Sequence, residues 1–183
     1  MSKLAIAVVL LIFCSYWSIT AHAENVAWEN FIKAGDQSKQ DGKLKEAEEA
    51  YKNALAEGSK EDRYGLQSAL AYTKLGALYK GQQKYDLAER SYAWAIPMLE
   101  RAWGPDSPEL AKILDEMIGV YLALHPATGY AIAEAISYRV LAIREKSLGP
   151  EHADVADSLQ TLALLVYFPF GRLAQGEPLL QRA

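Results

Sequence analysis

Beyond its first 23 residues the chain carries two histidines, His125 and His152, the natural place to look for acid–base or metal chemistry. His152 stands in Gly149-Pro150-Glu151-His152-Ala153-Asp154, an imidazole among carboxylates. A metal asks for a fuller ligand set at fixed spacing, as in His-Glu-x-x-His, and neither histidine belongs to one. Acidic residues directly after a Gly-Pro break are what the positive end of a helix attracts, so Glu151 and Asp154 read as first-turn acids. No glycine-rich phosphate loop and no nucleophile elbow is present. Lys33, Lys39, Lys74 and Lys80 could meet an acidic polypeptide, though charges at helical spacing are commonly solvated surface. The reading is a protein without enzymatic activity, metal or cofactor.

What positions these residues is a repeat. Leu148 to Tyr167, LGPEHADVADSLQTLALLVY, echoes Trp103 to Leu122, WGPDSPELAKILDEMIGVYL, with the second Gly-Pro 45 residues after the first. Self-similarity at such a period signals stacked units. Each Gly-Pro is a stop and a restart: glycine closes a helix in a left-handed conformation, and proline cannot continue it. Asp106 or Ser107 then caps the next helix, with Pro108 in its first turn. Shorter breaks at Gln40-Asp41-Gly42-Lys43, Gly81-Gln82-Gln83-Lys84, His125-Pro126-Ala127-Thr128-Gly129 and Phe168-Pro169-Phe170-Gly171 alternate with the long ones. The unit is therefore a helix pair. Gly35, Gly76, Ala47, Ala88, Ala133 and Gly176 mark where two helices must approach closely. Tyr72, Tyr79, Tyr85 and Tyr92 read as core filling around them, whereas Trp94 and Trp103 have no repeat role and are expected to face a partner or a neighbouring turn.

The first 23 residues, MSKLAIAVVLLIFCSYWSITAHA, have the layout of a secretory signal peptide: an early lysine, an apolar run from Leu4 to Phe13 and a small-x-small site at Ala21-His22-Ala23. The apolar run is far shorter than the ~20 residues of a membrane span. Bulky Phe13 before Cys14 argues against a lipoprotein signal. Cleavage after Ala23 would start the mature chain at Glu24, remove the only cysteine and one lysine, and leave a net charge one unit more negative than the −4 of the whole sequence. The expected location is the periplasm or the outside of the cell, with no membrane span after cleavage and no disulfide. An acidic balance without a basic cluster speaks against nucleic acid as a partner.

The repeats resemble the tetratricopeptide repeat (TPR), and two of them resemble the longer variety of kinesin light chains. The residues that carry the likeness are Ile96-Pro97-Met98-Leu99-Glu100-Arg101-Ala102-Trp103-Gly104-Pro105 and Leu141-Ala142-Ile143-Arg144-Glu145-Lys146-Ser147-Leu148-Gly149-Pro150. The resemblance implies an all-α fold, a right-handed α-solenoid of about four helix-turn-helix pairs at residues 28–60, 66–104, 108–149 and 152–183 within a domain spanning 24–183. It further implies a non-enzymatic scaffold or adaptor that holds a protein or peptide in the groove lined by the first helix of each pair. Places corresponding to that groove hold Lys33, Asp36 and Lys39, then Thr73, Lys74 and Lys80, then Asp115 and Glu116, then Gln160 and Thr161. The family's asparagine ladder and its paired clamp for a C-terminal carboxylate are not reproduced.

Two departures from the pattern stand out. The turn inside the third pair is three residues longer than that in the second and holds His125 and Pro126. The fourth pair closes on Leu173, Leu179 and Leu180 without the polar outer face that ends a solenoid. That edge makes a self-associating subunit of an envelope complex, for instance a homodimer, the alternative reading.

Overall fold

In the computed structural model the described residues are 26–62, 64–126, 128–168 and 171–183. The expected leader and its cleavage point after Ala23 lie outside them, as do Pro169 and Phe170 of the last short break. All regular structure among the described residues is helical. The helices are α1 (26–40), α2 (Leu44–Glu61), α3 (Leu66–Gly81), α4 (Tyr85–Trp103), α5 (Pro108–Leu124), α6 (Gly129–Leu148), α7 (Ala153–Thr161, prolonged by a π-helical turn, Leu162–Tyr167) and α8 (Leu173–Arg182). They form two compact units that divide within α3, between Ala71 and Tyr72.

The stops and restarts have the expected chemistry. Gly104 and Gly149 adopt φ of 87° and 88°, where a side chain would be strained, and each closes the preceding helix by donating its N–H to the carbonyl of Glu100 or Glu145. The Ser107 side chain accepts from the Leu110 N–H at 3.1 Å, with Pro108 at the start of α5. At the next restart the cap is His152, whose Nδ1 accepts from the Asp154 N–H at 3.1 Å. That imidazole therefore serves the helix end.

In the first unit, α1 and α2 meet at Gly35, where an added Cβ would lie 2.4 Å from the Tyr51 ring. Tyr51, Ala47 and Ala54 are fully buried beneath it. The Tyr51 hydroxyl donates to Asp36 at 2.7 Å. The second unit repeats the device: a Cβ on Gly76 would lie 2.8 Å from the fully buried Tyr92 ring. Ala77 stands where Asp36 stood, however, and the buried Tyr92 hydroxyl has no hydrogen-bond partner among the described residues. At the third pair the corresponding residues are Ile118 and Ser137, both buried: a large residue replaces the glycine and a small one the tyrosine. The volume is conserved while the partners exchange roles. In the fourth pair the close approach falls between Gly176 and the Phe168 ring, at 2.2 Å from a hypothetical Cβ.

Within the second unit α4 packs on α5, α5 on α6, and α6 on α7 and its π-helical extension, with α8 against α7 and that extension. Ladders of polar contacts pin the turns. Arg139 of α6 pairs with Glu100 at 2.7 Å and donates to the Pro105 carbonyl at 3.2 Å, while Lys146 bonds Asp106, so the Gly-Pro turn after α4 is held by α6.

Candidate partner-binding face

The ten expected groove positions divide between the two units. In the first, Lys33 is exposed and pairs loosely with Glu29, 3.7 Å away on its own helix, and Lys39 is also exposed. Asp36 is half-buried and spends its carboxylate on Tyr51. In the second unit Thr73 and Lys74 are half-buried on α3. Lys80 crosses to α5 and bonds Glu116 at 2.8 Å, passing over Gly119, whose missing Cβ would be 3.6 Å from the ammonium. This contact shows that α3 and α5 present these two positions on one face. Gln160 is exposed and Thr161 half-buried at the end of α7. The structure thus brings Lys80 and Glu116 together.

Asp115, the residue beside Glu116, behaves differently. It pairs with Arg144 of α6, which is buried and also donates to Ser158 of α7 at 2.6 Å. Three helices are tied by one guanidinium. Burial pushes the Asp115 carboxyl up, against the lowering pull of Arg144, and its Oδ1 has no partner among the described residues. Asp115 is thereby part of the scaffold. The sequence signal for Arg144 was present in its spacing: it follows the buried Val140 and Leu141 by four and three residues and so falls on the core stripe of α6.

A second polar cluster was not singled out by spacing at all. The π-helical turn ends at Tyr167, whose hydroxyl donates to Glu134 of α6 at 2.8 Å and lies 2.7 Å from the Tyr138 hydroxyl. Arg172, just before α8, donates to Glu134 at 3.0 Å with its guanidinium 4.6 Å from the Tyr167 ring centre. Burial alone would raise Glu134, but hydrogen bonds from Arg172 and Tyr167 and the arginine's charge hold it below the usual carboxylate range. A depressed folded pKa contributes stability above the ordinary carboxylate range, and that contribution is lost as pH falls through the depressed value. Glu134→Gln should therefore speed hydrogen exchange in α8 several-fold at neutral pH and hardly at all in acid. Equal acceleration at both pH values would show that the charge on Glu134 does not hold α8.

The closing edge is only partly open. Leu173 and Leu180 are exposed, at 53% and 36%, seven residues apart on one side of α8. Leu179 turns the other way and packs against the cluster of Leu141, Val155 and Leu159. Arg182 adds an ion pair to Glu145 of α6. The reason is helical geometry: adjacent residues point about 100° apart, so Leu179 and Leu180 cannot share a face.

Residues 68–109 and 129–154 match the family model of the tetratricopeptide repeat. BtubC (BKLC) from P. vanneervenii superposes with a TM-score of 0.77 at 20% identity, over 87% of this chain and 62% of that one. The nearly identical TPR-like repeats of a Podosopora anserina protein described as a kinesin light chain superpose in two crystal structures, each with a TM-score of 0.71 at 19% identity. Those matches cover 84% of this chain and 71% and 72% of theirs. The fold is that of a TPR array. This chain spans about three fifths of the length of BtubC. No curated protein sequence matches it. Helix pairs of the TPR type, with kinesin-light-chain-like repeats among their structural neighbours, account for the Gly-Pro spacing and for the glycine–aromatic contacts. No described helix is long and apolar enough to cross a membrane.

Proposed function

We propose that the protein is an exported, non-enzymatic scaffold whose first-helix face holds a protein or peptide partner. The observation that carries this reading is the Lys80–Glu116 bridge between α3 and α5, which sets successive first helices side by side with polar groups on the shared face. TPR arrays bind protein partners, and the leader's charged start, short apolar run and Ala21-His22-Ala23 site favour a periplasmic or secreted location. The test uses the full chain as bait in an envelope extract, beside a variant carrying Lys74→Glu and Lys80→Glu. A partner recovered in stoichiometric amount with the parent and lost with the variant supports the reading; equal recovery with both would remove this face from it. Localisation is checked separately by fractionation and by sequencing the amino terminus, where any start other than Glu24 overturns the cleavage site.

The exposed pair Leu173 and Leu180 supports a second reading, a self-associating subunit of an envelope assembly. Leu173→Glu with Leu180→Glu leaves the inward-facing Leu179 in place, so it should lower the mass in solution without unfolding the chain. An unchanged mass, measured by light scattering, would exclude this edge as the contact.

A further inference from the structure

The outer side of α4 carries a feature that the first-helix face does not use. Arg90, Trp94, Pro97 and Arg101 recur at intervals of four, three and four, which places them in one narrow stripe of a helix, and all four are exposed. Trp94 is 53% exposed, level with Leu173 as the most open large apolar side chain described. It is also held in place: the Tyr72 ring of α3 lies nearly parallel to it, with ring centres 6.4 Å apart and planes 19° apart. A stacked indole loses little rotamer freedom when something packs on it. Pro97 lacks an N–H, so the carbonyl of exposed Ala93, next to Trp94, lacks the i+4 donor of a regular helix.

Charge selects the occupant. In a chain with a net charge of −4, this stripe sets a guanidinium on each side of an exposed tryptophan. Guanidinium groups take carboxylates in paired hydrogen bonds, and tryptophan and arginine are the residues that most often carry binding energy at interfaces. We propose that this stripe is a second interaction surface, distinct from the first-helix face, that takes an extended acidic polypeptide segment with an apolar residue between its carboxylates. The geometry sets the spacing. Arg90 and Arg101 are about 16 Å apart along a helix rising ~1.5 Å per residue. An extended peptide at ~3.3 Å per residue covers that distance in about five residues. Trp94 lies nearer Arg90, so the apolar residue belongs nearer one acidic end.

The probe is the peptide Glu-Glu-Ser-Leu-Ser-Ser-Glu-Glu, labelled with fluorescein and titrated with the full chain by anisotropy, beside the same peptide with lysine for every glutamate. The acidic peptide is expected to bind saturably and more weakly as salt rises, and the lysine peptide not to bind. Trp94→Ala and Arg90→Glu should each weaken binding about tenfold or more. Lys112→Glu, the same charge reversal at an exposed position of α5, should leave it unchanged, which separates this surface from a general effect of charge. Should Trp94→Ala lower the unfolding midpoint, Trp94→Phe decides: the stacked ring is kept, and so should be the binding. No saturable binding of the acidic peptide, equal binding of the lysine peptide, or undiminished binding by Arg90→Glu would overturn the proposal. So would a concentration-dependent increase in mass of the parent that Trp94→Ala abolishes, since the occupant would then be a second copy of this chain.

Discussion

Gly76→Ile is expected to destabilise the second unit by about 3 kcal/mol, at the upper end of what overpacking a core usually costs. Even a methyl group there meets the Tyr92 ring at 2.8 to 3.0 Å, and that ring is fully buried, so it has nowhere to turn. Tyr92→Ser alone should also cost about 3 kcal/mol or more, because removing a buried aromatic ring leaves a cavity. Combined, the two changes should cost much less than their sum. The third helix pair already carries this combination at the corresponding positions, Ile118 with Ser137, so the repeat accommodates it. Urea unfolding of the four proteins measures the coupling. Strict additivity would mean that the glycine and the tyrosine do not share one space, and would sink this account of the repeat.

The second large effect concerns Arg144. Arg144→Met should destabilise the protein by about 3 kcal/mol at neutral pH, since it leaves the Asp115 carboxylate in a buried setting without its cation. The lower end of the usual range applies because about a quarter of the Asp115 side chain is still exposed. Ser158 is not orphaned by the change, as its hydroxyl also donates to the Asp154 carbonyl at 2.9 Å. The pH dependence follows from the direction in which burial pushes Asp115. A carboxyl whose pKa is raised by folding holds more protons folded than unfolded, so stability falls as pH rises through that range. The penalty of Arg144→Met should therefore be larger at about pH 8 than at about pH 5. Asp115→Leu in the same background should recover most of the loss, because replacing both partners of a buried pair by apolar groups is often close to neutral. A loss that is independent of pH and not relieved by Asp115→Leu would show that Arg144 acts through its packing alone.

Both effects bear on how much could be read from the residues. The helix pairs, their breaks and the close approaches at Gly35, Gly76 and Gly176 are local matters of spacing and residue size, and among the described residues they stand as the repeat implied. The polar residues were harder to assign. Lys80 and Glu116 are 36 residues apart, and only the stacking of α3 beside α5 makes them neighbours. Asp36 and Asp115 look equivalent to exposed groove positions along the chain, yet one serves a tyrosine and the other a buried arginine. Glu134, Tyr138, Tyr167 and Arg172 meet through a widened π-helical turn that the apolar periodicity of Leu162 to Tyr167 did not announce, since both helix types present a continuous apolar run there.

The sequence by itself determined the helical class, the repeat, where helices start and stop, and which contacts must be close, because capping, periodicity and side-chain volume act within a few residues or within one unit. The tertiary structure alone decided which charges are scaffold and which are surface. It paired Arg144 with Asp115, turned Leu179 inward while leaving Leu180 out, and set Trp94 against Tyr72 on an open face. Ion pairs and burial depend on distances between residues far apart in the chain, and those distances exist only once the helices have packed.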